Sequence, residues 1–212
     1  MSNEQEDEDI KVILVGEPGT GKTSLINVAI GNKFVENAPS TLISTFVQKK
    51  FTKNNKDHIL NIWDTAGQEK FRAMTKIFIK NSKIVILVYA INSKQTFEGL
   101  KDYWFQTIKD ALGDDIIIAM VGNKSDLFLE EQIKEEEVRE YASNNCIKFK
   151  LVSAKEDPNG FIEFLGELLD EYLRLNNKSE VKRETININN NIKSKNSERA
   201  TPSVPLAAMM AS

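Results

Sequence analysis

The residue types and spacing in Gly16-Glu17-Pro18-Gly19-Thr20-Gly21-Lys22-Thr23-Ser24 suit the binding of a polyphosphate. Three glycines let backbone N–H groups turn inward around an anion with no Cβ in the way. The stretch follows apolar Val12-Ile13-Leu14-Val15 and opens a segment with Leu25, Ile26, Val28 and Ala29 at helical spacing. Strand, glycine loop and Gly-Lys-Thr at a helix start form the context of a phosphate-binding P-loop. The helix N-terminus adds partial positive charge. Lys22 would reach the terminal phosphates, and the Thr23 hydroxyl would ligate Mg²⁺. On this motif alone ATP and GTP both remain open.

A second stretch separates them. Asp126, in Asn123-Lys124-Ser125-Asp126, carries a carboxylate that can accept two parallel hydrogen bonds from guanine N1–H and the N2 amino group. Adenine lacks that donor pair. Three more groups follow in fixed order: Thr41, 25 residues after Gly16, then Asp64-Thr65-Ala66-Gly67-Gln68, and Ser153-Ala154-Lys155.

The elements that must hold these groups are legible in the hydrophobic patterning. Leu42 to Phe51 and His58 to Trp63 read as strands joined through the turn cluster Lys53-Asn54-Asn55-Lys56-Asp57, a hairpin. Ile84 to Ile91 is apolar throughout, as a parallel strand buried on both faces should be. Ile116 to Val121 has the same character, and Lys148 to Val152 is a shorter strand. Helices are expected over Lys94 to Leu112, Ile133 to Asn145 and Gly160 to Leu175, the last with Phe161, Phe164, Leu165, Leu168 and Tyr172 on one stripe and Asp157-Pro158 as start signal. The run Glu135-Glu136-Glu137 reads as a solvated helix face. Alternation of strand and helix gives an α/β class: a three-layer arrangement around a six-stranded, mostly parallel sheet with one antiparallel edge strand. Ligands in such folds sit at the carboxyl ends of the strands, where these motifs fall.

The chain has 212 residues and a net charge of −3. That balance argues against nucleic acid as a partner, because no basic stripe would neutralise phosphates. The single cysteine, Cys146, fits a reducing compartment. The acidic start lacks an apolar core for secretion, and no run approaches ~20 apolar residues, so a cytoplasmic protein is expected. Residues 1–9 read as a disordered acidic lead-in, residues 10–175 as the domain, and residues 176–212, rich in Asn, Lys and Ser, as a flexible tail.

Taken together, the P-loop, Thr41, the Asp64–Gln68 stretch, Asn123–Asp126 and Ser153–Lys155 resemble the five nucleotide-binding motifs of the Ras superfamily of small GTPases, over about Ile10 to Leu175. The resemblance implies a GTPase that alternates between GDP-bound and GTP-bound states with Mg²⁺. It implies nucleotide contacts from Glu17, Pro18, Gly19, Thr20, Gly21, Lys22, Thr23 and Ser24. It also places the Asn123 amide against the base, the Lys124 stem along its face, the Ala154 N–H on guanine O6, with Ser153 and Lys155 beside it, and the Phe34 ring across the base edge. Asp64, Thr23 and Thr41 are the implied Mg²⁺ residues. Gly67 N–H would meet the γ-phosphate, and Gln68 would orient the attacking water, with Lys22 and Thr41 completing the catalytic set. Loss of the γ-phosphate would relax two loops, about Phe34 to Phe46 and Gly67 to Phe78.

Phe46, Trp63 and Phe78 match the aromatic triad through which Rab proteins present their switch surface, and Thr41 to Phe46 followed by Lys49-Lys50 looks closest to the early-endosomal Rab branch. Exchange factor, GTPase-activating protein and effectors are the implied partners of an expected monomer on the cytoplasmic face of endosomal or vesicle membranes. Three departures stand out. Ala90 replaces the aspartate usual after Tyr89. Pro18 occupies a position usually held by a small residue, fixing φ and removing an N–H, so slow intrinsic turnover is expected. No cysteine follows Cys146, so the lipid acceptor usual in Rab proteins is not expected here. The competing readings are a slowly hydrolysing soluble GTP-binding adaptor and a P-loop kinase, in which Asp126 would have no role.

Overall fold

A computed structural model describes residues 9–36, 38, 39, 41, 44–65, 77–113 and 116–199, with side chains through Lys178. Six strands form one sheet: β1 (Ile10–Val15), β2 (Thr45–Lys53), β3 (Lys56–Asp64), β4 (Ile84–Ala90), β5 (Ile117–Asn123) and β6 (Lys148–Leu151). Their order across the sheet is β2-β3-β1-β4-β5-β6. Every neighbouring pair is parallel except β2 with β3. The expected class, with its single antiparallel edge, is the one observed.

The burial pattern explains the register. β4 and β5 are buried at every position, as a parallel strand covered on both faces must be. β3 alternates half-buried and buried, and edge strand β2 is largely exposed. Lys53 pairs with Lys56 at the end of the hairpin. Between them Asn54 and Asn55 take φ of 52° and 59°, a left-handed pair that asparagine tolerates and whose twist suits a two-residue turn. β2 covers Thr45–Lys53, and Leu42 and Ile43, where the strand is expected to start, lie outside the described residues.

The helices are α1 (Lys22–Ala29), α2 (Lys94–Gly99), α3 (Phe105–Leu112), α4 (Glu135–Asn144) and α5 (Pro158–Arg199), and those of residues 22–172 flank the sheet. On one side Ile13, Val15, Val85, Leu87 and Tyr89 pack with Phe97, Leu100, Trp104 and Ile108. The single helix expected over Lys94 to Leu112 is interrupted by a π-helical turn, Leu100–Trp104, between α2 and α3. Apolar positions at 97, 100, 104 and 108 fit either helical geometry, so periodicity cannot expose the wider turn. At α5, Asp157 accepts the Gly160 N–H at 3.0 Å and Pro158 occupies the first helical position, the start expected from Asp-Pro.

Two compact units divide the chain at Tyr172 and Leu173. The second is helical through Arg199, where a flexible tail from Asn176 is expected. No glycine or proline lies between Gly166 and Pro202, so nothing local stops a helix once it has begun. The lead-in before Asp9 and residues 200–212 lie outside the described residues.

Candidate functional site: a phosphate loop and a base pocket

β1 ends at the point where the sheet order reverses, with β3 on one side and β4 on the other, the place where open α/β sheets leave a crevice. The glycine loop fills that point. A Cβ on Gly16 would lie 2.1 Å from the Val88 carbonyl oxygen, and one on Gly21 would lie 2.2 Å from Asn123 Nδ2, with φ of +149° and +89° respectively. Only glycine allows the loop to approach β4 and β5 this closely. Gly21 caps α1 without any side-chain hydrogen bond, and the first helical amide bond runs from Leu25 to Gly21. The N–H groups of Lys22, Thr23 and Ser24 therefore have no helical acceptor and are available to an anion.

Lys22 is buried, and its Nζ donates to the carbonyls of Gly16 (2.9 Å) and Glu17 (3.0 Å). Burial pushes its ammonium down to about 8, against the pull of Asp64 and Glu17. Thr20, also buried, donates from Oγ1 to the Glu17 carbonyl at 3.0 Å.

Beyond Lys22, three oxygen-bearing side chains converge. The Thr23 hydroxyl lies 2.6 Å from that of Thr41 and donates to Asp64 Oδ2 at 2.7 Å, while Thr41 Oγ1 reaches the same carboxylate oxygen at 3.3 Å. Asp64 Oδ1 is buried with no partner among the described residues. Burial pushes this carboxyl up, although Thr23 and Lys22 oppose the shift. One carboxylate, two hydroxyls and a buried unsatisfied oxygen make a hard, all-oxygen donor set. It fits Mg²⁺, a cation held by one or two carboxylates together with substrate phosphates. The three metal residues expected from sequence are thus brought together.

The base side is built differently. The Asn123 amide, expected against the base, ties two loops together: Nδ2 donates to Thr20 O at 2.8 Å, and Oδ1 accepts the Ala154 N–H at 3.2 Å. Ser153 Oγ donates to Asp126 Oδ1 at 2.5 Å and accepts the N–H groups of Lys155 (3.2 Å) and Glu156 (2.9 Å). Lys124 sits in the left-handed region at φ 65°, which turns the chain from β5 into the 3₁₀ segment Ser125–Glu130.

Both halves open on one cavity of ≈ 430 Å³, lined by the loop residues Pro18, Gly19, Gly21, Lys22, Thr23 and Ser24 and by Phe34, Thr41, Asn123, Lys124, Asp126, Ala154 and Lys155. Glu17, Thr20, Asp64 and Ser153 adjoin it through the bonds above. Gly67 and Gln68 lie outside the described residues. Sequence reasoning missed Val35, Glu36 and Leu127 on the cavity wall, none of which carries a motif signal. It also missed Thr65, which lines the wall and donates to Leu14 O at 2.7 Å; its place beside Asp64 was the available clue.

A separate aromatic surface lies on β2 and β3. Phe46 stacks on Trp63 with centroids 5.1 Å apart, and Phe78 lies 5.7 Å from Trp63. Lys11 Nζ sits 4.7 Å over the Trp63 ring. Phe46 is 51% exposed, so the triad combines packing with display.

A family model described as the Ras family matches residues 11–173. Over 166 residues the chain is 36% identical to Ras-related protein Rab-21 of Geodia cydonium, covering 78% of this chain and 72% of that protein. It is 34% identical over 179 residues to Ras-related protein Rab-11C of Dictyostelium discoideum, covering 84% and 80%. Ras-related protein RabC of the same organism is 34% identical over 184 residues, covering 86% and 93%.

Proposed function

This chain belongs to the Ras family, and from that premise we propose that it is a Rab-type switch in endosomal and vesicle membrane traffic, acting through GTP-dependent effector binding. It is a small GTPase. The observation that carries the reading is the cavity that the glycine loop, Asp126 and Ala154 all line.

In this reading Asp126, held by the Ser153 hydroxyl, accepts the N1–H and amino group of guanine. Asn123 keeps the phosphate loop and the Ala154 turn in register. Lys22 and the N–H groups at the start of α1 take the phosphates, and Phe34 covers the base edge. Mg²⁺, held by Thr23, Thr41 and Asp64, would neutralise charge on the phosphates. Gln68 orients the attacking water, Gly67 donates its N–H to the γ-phosphate, and release of that phosphate frees the Thr41 and Gly67 segments. Phe46, Trp63 and Phe78 present the result to effectors. An exchange factor and a GTPase-activating protein would drive the two directions of the cycle, with the protein monomeric at the cytoplasmic face of endosomal or vesicle membranes.

Pro18 on the cavity wall favours slow unassisted turnover, at or below the scale of intrinsic Ras hydrolysis, roughly 10⁻⁴ to 10⁻³ s⁻¹. It also supports a second reading, a soluble GTP-binding adaptor. Calorimetric titration with GDP and ADP tests the site: GDP should bind at least ~10²-fold more tightly, and equal affinities would overturn the reading. Imaging of the tagged full chain separates the two roles. Coincidence with endosomal markers supports the traffic switch, and uniform cytosolic signal the adaptor.

A further inference from the structure

Glu17 is joined to a residue 87 positions away: the Trp104 indole Nε1–H donates to Glu17 Oε1 at 3.1 Å. Trp104 is fully buried and closes the π-helical turn Leu100–Trp104. On the other side of the Glu17 side chain stands Gly99, where a Cβ would lie 2.9 Å from Glu17 Cγ and 3.0 Å from Oε1. The carboxylate thus lies in a slot between α2 and the π turn that a Cβ at 99 would narrow, forcing the Glu17 side chain to shift. A single π turn inside an α-helical run is a recurrent mark of functional sites.

The backbone of the same residue faces the opposite way. Glu17 O accepts Lys22 Nζ at 3.0 Å and Thr20 Oγ1 at 3.0 Å. Among the described residues the other hydrogen-bond acceptor of Lys22 Nζ is Gly16 O, at 2.9 Å. Pro18 follows Glu17 and disfavours helical backbone there, but it leaves rotation about ψ within the extended basin free to re-aim the carbonyl. A side-chain anchor removes that freedom.

We infer that Glu17 is a positioning residue of the phosphate site: its carboxylate, anchored by Trp104, fixes the carbonyl that orients the Lys22 ammonium. The inference rests on the reading that Lys22 takes the phosphates of a guanine nucleotide. It adds that the π turn between α2 and α3 is mechanically tied to that site, so a perturbation at Trp104 reaches the nucleotide without touching it. Glutamine at position 17 still accepts the indole N–H through Oε1, whereas alanine does not. Phenylalanine at 104 keeps most of the packing and loses the donor.

The test measures dissociation of a fluorescent GDP from the full chain, with folding of each variant checked by circular dichroism. Glu17→Ala and Trp104→Phe should each speed release about tenfold, the scale of losing one hydrogen bond to a charged group. The effects of the two single substitutions should not multiply in the double variant, because both remove the same indole bond. Glu17→Gln keeps the acceptor and should release GDP several-fold more slowly than Glu17→Ala. In the nucleotide-bound wild type the indole N–H of Trp104, assigned by its loss in Trp104→Phe, should give a hydrogen-bonded NMR resonance that moves in Glu17→Ala and stays in Glu17→Gln. Unchanged release in Glu17→Ala, or multiplying effects in the double variant, overturns the inference. If Trp104→Phe fails to fold, the contrast between alanine and glutamine at position 17 decides alone. Wild type that binds no guanine nucleotide overturns the functional reading itself, and this inference with it.

Discussion

The two ends of the cavity are built on opposite plans. At the base end the polar groups are already partnered within the chain. Asn123 is satisfied at both ends of its amide, Ser153 makes three hydrogen bonds, and Asp126 is held by one of them. At the phosphate end the chain leaves work undone. Asp64 has a buried oxygen without a partner among the described residues, Lys22 is buried with its ammonium pushed down, and the amides that open α1 have no helical acceptor. A partnered site selects, because its shape exists before the ligand arrives. An under-satisfied site responds, because the ligand supplies what is missing and takes it away on leaving. In the proposed reading, recognition of the base and sensing of the phosphate are divided between two physical designs.

Substitutions can break this contrast, and the largest effect should come from the responsive end. Lys22→Ala removes the cation that faces the phosphates and should weaken GDP binding by about 10³-fold, measured by calorimetric titration, since bonds to charged groups are the strong ones. At the selective end Asp126→Ala should cost about 10²-fold for GDP while leaving ADP, already weak, unchanged. The same titration reads both, and parallel losses would show that Asp126 does not select the base.

Asp64→Asn should act in opposite directions on two measurements. Without metal or nucleotide, removing a buried carboxylate with an unpaired oxygen should raise Tm by about 2–4 °C. With Mg²⁺ present, the stabilisation of bound nucleotide by the metal should disappear. A fall in metal-free Tm would mean that Asp64 serves the fold rather than the ligand. The smallest effect belongs to Ser153→Ala, which should weaken GDP binding about five- to tenfold by loosening Asp126. A loss as large as that of Asp126→Ala would mean that the serine meets the base directly.

How much of this was legible varies with the range of the interaction. The hairpin over Asn54-Asn55, fully buried β4 and the Asp157-Pro158 start of α5 follow from local chemistry, and each stands where the patterning puts it. Thr23, Thr41 and Asp64, the residues the resemblance implies for Mg²⁺, meet in space. The π turn was hidden because apolar spacing does not distinguish a slightly wider helix. The loop-tying bonds of the Asn123 amide, a role beyond the expected base contact, depend on how closely Gly21 lets the glycine loop approach β5.

By itself the sequence indicated most of the strands and helices, the kind of ligand and the residues proposed to hold it. Those follow from periodicity, from glycine's conformational range and from the donor and acceptor inventory of single side chains. Tertiary structure alone decided which of these groups are already satisfied and which wait for a partner. The pairing of Glu17 with Trp104, and the orphaned oxygen of Asp64, depend on distances between segments far apart in the chain. Composition and spacing carry no measure of such distances, because they are set only when the sheet, the π turn and the glycine loop pack against one another.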